Sequence, residues 1–126
     1  MIKIESLDHL VMTVKDINRT VEFYEMVLGM QLVEFGHGRK ALTFGNQKIN
    51  LHQSGHEFEP KAQSPTPGSA DLCFITHCPI DEAMIHITEN NVLIEAGPVT
   101  RTGAVGTIKS IYIRDPDQNL IEISNY

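Results

Sequence analysis

No basic run is present. Arg39-Lys40 is the sole adjacent pair of cations in 126 residues that carry a formal charge of −6, with a pI near 5.4. A chain with no cationic cluster has nothing to neutralise phosphates, which argues against nucleic-acid and anionic-membrane partners. No apolar stretch approaches the ~20 residues of a membrane span. The first residues, M-I-K-I-E-S, lack the apolar block of a secretory signal, so a cytoplasmic location is the default expectation. Cysteine is scarce: Cys73 and Cys78 do not have C-x-x-C spacing. Cys73 sits in an apolar run and Cys78 precedes Pro79, so the expectation is a buried Cys73 acting as a small hydrophobe and an inert Cys78, without a disulfide. No serine elbow is present either, which removes the simplest hydrolase reading.

What is present is a pattern that occurs twice. Ile2–Val14 contains D-H-L-V-M-T-V, with Leu10, Met12 and Val14 on one face of a strand and His9, Val11 and Thr13 on the other. Asp16 is placed to cap a helix whose apolar positions are Ile17, Val21, Tyr24 and Leu28, with Gly29 closing it. Strands are predicted at Met30–Phe35, Arg39–Phe44 and Lys48–Gln53, separated by glycine turns. Ser54–Ser69 holds three prolines and two glycines and reads as a connector, a crossover between modules or a functional flap. The pattern then restarts. A strand is predicted at Ala70–Thr76, a helix at Pro79–Asn91, a strand beginning at Val92–Glu95, and strands at Ile108–Arg114 and Leu120–Ser124. Asp115–Asn119 forms the last turn.

Laying Asp71 on His9 aligns D-L-C-F-I-T with H-L-V-M-T-V, so the β-α-β-β-β unit repeats. The fold expected is α+β, a single domain over 1–126, with module one at 1–53, the connector at 54–69 and module two at 70–126.

Asn119–Ile123 reads N-L-I-E-I and sets Glu122 within a segment otherwise suited to a buried strand. An ionised carboxylate there needs a partner, a hydrogen bond or a metal. His9, Asp71 and the Lys48, Asn50, His52 series share its situation, each on a strand face opposite apolar neighbours. If those faces converge, His9, His52, Asp71 and Glu122, with Asn50 as a substitute for His52, form a nitrogen–oxygen site suited to Zn, Ni, Co, Mn or Fe(II). Arg101 lies in a glycine-bearing loop, Arg101–Gly106, and His56 lies in the connector; both are candidate substrate contacts. Tyr24 and Tyr112 read as core or sheet residues with a polar tip.

With those residues identified, the chain resembles the vicinal oxygen chelate superfamily, and within it the small glyoxalase domain-containing protein five family. The resemblance rests on L-D-H-L-V-M-T-V, F-Y-E-M-V-L-G-M, K-I-N-L-H-Q, P-G-S-A-D-L-C-F-I and R-D-P-D-Q-N-L-I-E, in order along the whole chain. It implies a U-shaped mixed sheet around a central cleft, a divalent metal, a small-molecule substrate that includes glutathione or other thiol adducts, and a homodimer. It places the first metal ligand on His9 and the last on Glu122. The second position falls on Asn50, with His52 on the same face, and the third on Asp71, where glyoxalase I has His. Gln118 stands where many relatives have Gly. The activity implied first is a lactoylglutathione lyase-like isomerisation with Glu122 moving the proton. The alternatives are an extradiol dioxygenase-like reaction and non-catalytic binding of a bleomycin-type antibiotic.

Overall fold

At the start of the first helix, Asp16 holds an extended backbone (φ −149°, ψ 106°) and its Oδ1 accepts the Arg19 N–H at 3.2 Å. One of the helix's orphan donors is thereby satisfied. Helix α1 accordingly runs Ile17–Leu28 and stops at Gly29, whose left-handed φ of 67° suits a residue with no Cβ. A computed structural model describes residues 1–126, and the chain divides into two compact units, Met1–Pro67 and Gly68–Tyr126.

The first unit contains β1 (His9–Val14), α1, β2 (Gln31–Phe35), β3 (Arg39–Phe44) and β4 (Gln47–Gln53). Its sheet has the order β1-β4-β3-β2. β1 runs parallel to β4, and the remaining pairs are antiparallel. A parallel pair cannot be joined by a hairpin, so the chain must cross over, and α1 is that crossover. Tyr24, Val21 and Val27 on α1 are buried with Met12, Val14, Leu42, Ile49 and Leu51. The core therefore lies on one face of the sheet, and His9, Asn50 and His52 project from the other.

The second unit repeats this plan with β5 (Asp71–Ile75), α2 (Ile80–Glu89), β6 (Ala96–Thr102), β7 (Thr107–Arg114) and β8 (Leu120–Asn125). The sheet order is β5-β8-β7-β6, with β5 parallel to β8. Ile80, Ala83 and Ile87 of α2 are buried with Ile111, Ile113, Ile121 and Ile123. The fold is thus α+β, built of two mixed four-stranded sheets with one helix each. Helix α2 has no side-chain cap of its own at Pro79. Asn125 of β8 substitutes, its Oδ1 accepting the Ile80 N–H at 2.8 Å.

Two local expectations are corrected. The strand placed at Val92–Glu95 forms at Ala96–Thr102 instead. Asn91 takes φ 60° and the Val92 N–H returns to Ile87 O at 3.2 Å, so these residues complete the end of α2, and pairing begins where Glu95 N–H meets Tyr112 O at 2.8 Å. The glycine loop placed at Arg101–Gly106 contracts to Gly103–Gly106, closed by Gly103 N–H to Gly106 O at 2.7 Å. Arg101 and Thr102 stay in the ladder opposite Ile108 and Thr107.

The Asp115–Asn119 turn fixes where β8 begins. Asp115 Oδ1 accepts the N–H groups of Asp117 (2.9 Å) and Asn119 (3.0 Å), and Oδ2 accepts Asn119 Nδ2 at 2.8 Å. Asn119, 1% exposed, accepts the Ala70 N–H on its Oδ1 at 2.8 Å and so ties this turn to the start of β5. Gly68 is drawn close as well: a Cβ there would lie 2.6 Å from Asp117 O.

Two substitutions in this one turn have opposite signs. Asn119→Ala removes the acceptor of the half-buried Ala70 N–H and should cost about 2 kcal/mol in urea unfolding. Gln118 has φ 70°, and its backbone bonds do not need its side chain, so Gln118→Gly should stabilise by up to about 1 kcal/mol in the same measurement.

Candidate functional site

In the first unit, the register of the parallel pair decides which polar side chains are neighbours. His9 lies opposite Lys48, Val11 opposite Asn50 and Thr13 opposite His52. Asn50 is therefore the diagonal neighbour of His9, roughly 8 Å away Cα to Cα. His52 is four residues along from His9's own rung, roughly 13 Å at ~3.3 Å per residue, with both side chains standing off the same face. One ion cannot be shared by His9 and His52 in that arrangement.

In the second unit, Cys73 lies opposite Glu122 and Asp71 opposite Leu120. Asp71 is thus the diagonal neighbour of Glu122, as His9 is of Asn50. Tyr112 and Ser110 of β7 pair with Glu122 and Ser124. Ser110 Oγ donates to Glu122 Oε2 at 2.6 Å, and Ser110 and Ser124 hydroxyls lie 2.7 Å apart. Arg101 Nε donates to Tyr112 Oη at 3.0 Å, so Arg101 joins the same face from β6. Sequence reasoning did not single out Ser110 beside Glu122. The alternation of Ser110 and Tyr112 with Ile111 and Ile113 is the signal that points to it, once the antiparallel register is known.

Cys73 is exposed, contrary to the buried hydrophobe expected. β5 is an edge strand, and this side of it carries no helix. The thiol contacts Ser124 Oγ at 3.4 Å. Partial burial pushes it above its ordinary range, and the Glu122 carboxylate acts in the same direction. Cys78 is exposed too. His56 is exposed and opens the connector, its N–H donating to Gln53 O at 2.9 Å.

Neither unit by itself gathers three or more His, Cys, Asp or Glu side chains as a metal cluster. The donor chemistry nonetheless suits a divalent ion. His9 Nδ1 lies 2.7 Å from Asp8 Oδ1; an ionised carboxylate can only accept, so Nδ1 carries the proton and the Nε2 lone pair is free, the arrangement common in metal-bound imidazoles. Asn50 Oδ1 is buried with no hydrogen-bond partner. Glu122 has one oxygen, Oε2, held by the hydroxyls of Ser110 at 2.6 Å and Ser124 at 3.4 Å. The imidazole and amide oxygen of the first unit, and the two carboxylates of the second, are each ligand types that Zn, Mn, Ni, Co or Fe(II) accept.

His52 presents a different situation. It is 2% exposed, and its buried Nε2 has no partner, a state that costs about 1–3 kcal/mol unless a bound group satisfies it. Its ring meets Phe58 of the connector edge-on, with centroids 5.6 Å apart. Burial holds the imidazole below its ordinary value of 6.5, and the Arg39 guanidinium reinforces the shift.

The sign of the pH effect follows. With the folded value depressed, the unfolded chain takes up the proton first, so His52's contribution is complete above pH 6.5 and is lost as pH falls from there through the folded value. Unfolding free energy should therefore decline between pH 7 and pH 5, and His52→Gln should flatten that slope in pH-dependent urea titrations.

Comparisons with known proteins agree with this architecture. The model of the Glyoxalase/Bleomycin resistance protein/Dioxygenase superfamily matches residues 6–123. The glyoxalase domain-containing protein RDO1 of Mycosarcoma maydis is 59% identical over 125 residues, covering 99% of this chain and 70% of that protein. Virulence protein STM3117 of Salmonella typhimurium is 63% identical over 123 residues, covering 98% of this chain and 85% of that protein. Its crystal structure aligns with a TM-score of 0.98 and 62% identity over 99% of both chains. At 21% identity, lactoylglutathione lyase from Agrobacterium tumefaciens shares the fold, with a TM-score of 0.74 over 98% of this chain and 95% of that chain. At 20% identity, the fosfomycin resistance protein FosX of Listeria monocytogenes, solved with Mn(II) and sulfate, does so with a TM-score of 0.68 over 98% of this chain and 91% of that chain. The chain belongs to the Glyoxalase/Bleomycin resistance protein/Dioxygenase superfamily.

Proposed function

We propose that this chain is a metal-dependent enzyme of its superfamily that acts on a small substrate bearing two adjacent oxygens, with a lactoylglutathione lyase-like isomerisation as its reaction. The reading rests on the repeated register. His9 with Asn50 in the first unit, and Asp71 with Glu122 in the second, occupy equivalent rungs of equivalent parallel pairs. Those four residues are its ligand candidates, and His52 is set aside because of its distance along the strand from His9. When bound, the ion supplies Lewis acidity toward the substrate's adjacent oxygens.

Glu122 is the residue assigned to proton transfer. The Ser110 hydroxyl bonded to Oε2 orients the carboxylate and leaves Oε1 to accept a proton from a carbon next to a carbonyl. Returning that proton to the former carbonyl carbon, while the hydroxyl proton passes from one of the two adjacent oxygens to the other, converts the hemithioacetal of a 2-oxoaldehyde and a thiol such as glutathione into a 2-hydroxyacyl thioester. Atoms and electrons balance with no further reactant. Arg101, fixed against Tyr112 on the same face, supplies a positive charge for an anionic thiol carrier.

The second reading is a non-catalytic binder of a small molecule, favoured by the presence of Asn50 and Asp71 at two of the four positions. Elemental analysis and metal titration separate the two. The enzyme reading expects near-stoichiometric transition metal, or a rise in melting temperature on adding Mn(II), Ni(II) or Zn(II), and loss of turnover after chelation. Glu122→Gln should lower hemithioacetal turnover by about 10²–10⁴-fold. Full turnover by that variant would overturn the assignment, and a chain that stays metal-free and is not stabilised by any of these ions would establish the binder.

A further inference from the structure

In the first unit the connector folds back over one end of the open sheet face and leaves a cavity of about 220 Å³ lined by Val11, Thr13, His52, Pro60, Lys61, Ala62 and Pro65. We infer that this cavity is a binding site for a small monocarboxylate with a short apolar body, whose carboxylate is held by His52 Nε2 and Lys61. The site lies at the Thr13–His52 rung, away from His9, and the inference stands whether or not the metal reading above is right.

Three observations carry it. The first is an unsatisfied ring nitrogen: Nε2 of His52 is buried and unpartnered, His52 lines the cavity, and a carboxylate oxygen would select the tautomer that carries the proton on Nε2. A buried polar atom of that kind is satisfied by an incoming oxygen. The second is that the ring is held in place. Phe58 meets it edge-on, and Phe58 is in turn covered by the Arg39 guanidinium at 4.7 Å from its centroid, so the Nε2 direction is set before any ligand arrives. The third is the lining. Val11, Pro60, Ala62 and Pro65 are apolar, Thr13 adds a hydroxyl, and Lys61 is the one charged side chain on the wall.

Charge decides the class of ligand. Glu57 is an opposing group on the connector, but the Gly55 N–H donates to its Oε2 at 2.5 Å and it already pairs with Lys61 at 3.4 Å. Glu59 is a second partner of Lys61 at 3.6 Å. Arg39 adds its positive charge from behind Phe58. Lys61 is thus shared with two carboxylates and keeps a third N–H for a further acceptor, and the cavity wall itself presents no acid, so a carboxylate oxygen is the matching occupant. The volume lies below the ~300 Å³ at which drug-sized pockets begin, which limits the occupant to a short acid.

Benzoate, benzamide and benzylamine added to the full chain provide the test, followed by calorimetry and by the 15N signals of the His52 ring. Benzoate should bind at least tenfold more tightly than benzamide, benzylamine should not bind, and the His52 Nε2 signal should move. His52→Phe should weaken benzoate at least tenfold, and Lys61→Met about threefold with loss of the salt dependence. Equal affinity for benzoate and benzamide, or an unmoved His52 signal, would overturn the inference. The titrations are run on chelated protein and again with Mn(II). Binding that requires the metal and shifts His9 rather than His52 would also overturn it, while supporting the enzyme reading. Binding in both conditions, with no metal bound in either, would uphold it and remove the enzyme reading.

Discussion

The parallel pairing of the first and last strands in each module is the constraint on which the rest of the structure depends. β1 and β4, and β5 and β8, are adjacent in the sheets although a helix and two strands separate them in the chain. That adjacency requires a crossover, and the amphipathic helix that makes it packs on one sheet face. The other face is left for side chains that a core would not tolerate. Because both modules close in the same way, His9 and Asp71 begin their parallel pairs at equivalent rungs, and Asn50 and Glu122 take the diagonal position on the strand beside them.

Register also divides the polar face of the first unit into two environments. His9 has Asp8 beside it and solvent above, whereas His52, two rungs beyond Val11's, lies under the connector among Phe58, Arg39 and Lys61. The two imidazoles share a face and a strand period yet differ in burial and partners. In the second unit the corresponding separation is between Glu122, bonded by Ser110, and the edge strand, where Cys73 stays exposed and its thiol is held protonated by partial burial and a facing carboxylate.

Much of the fold was legible because its causes are local. Asp16 and Gly29 mark the ends of α1 through one hydrogen bond and one left-handed residue, each of which is a property of the residue itself. β3 falls at Arg39–Phe44 because glycine turns bound it on both sides. The strand misplaced at Val92–Glu95 shows where local reasoning fails. The apolar residues there suit a strand, but Asn91 and the Val92 bond to Ile87 use them to finish α2. Cys73 was misjudged for a related reason, since an apolar run looks the same on an edge strand with an uncovered face as in a buried one.

The sequence by itself determined the repeated β-α-β-β-β pattern and the faces on which His9, Asn50, His52, Asp71 and Glu122 lie, because alternation and capping depend only on near neighbours in the chain. Only the tertiary structure decided that Asn50, and not His52, stands beside His9, that Ser110 holds Glu122, and that the connector roofs a cavity over His52. Those outcomes depend on how strands distant in sequence are aligned with one another and on where a proline-rich segment folds back. Both are set by the packing of a whole module, which no short stretch of residues encodes.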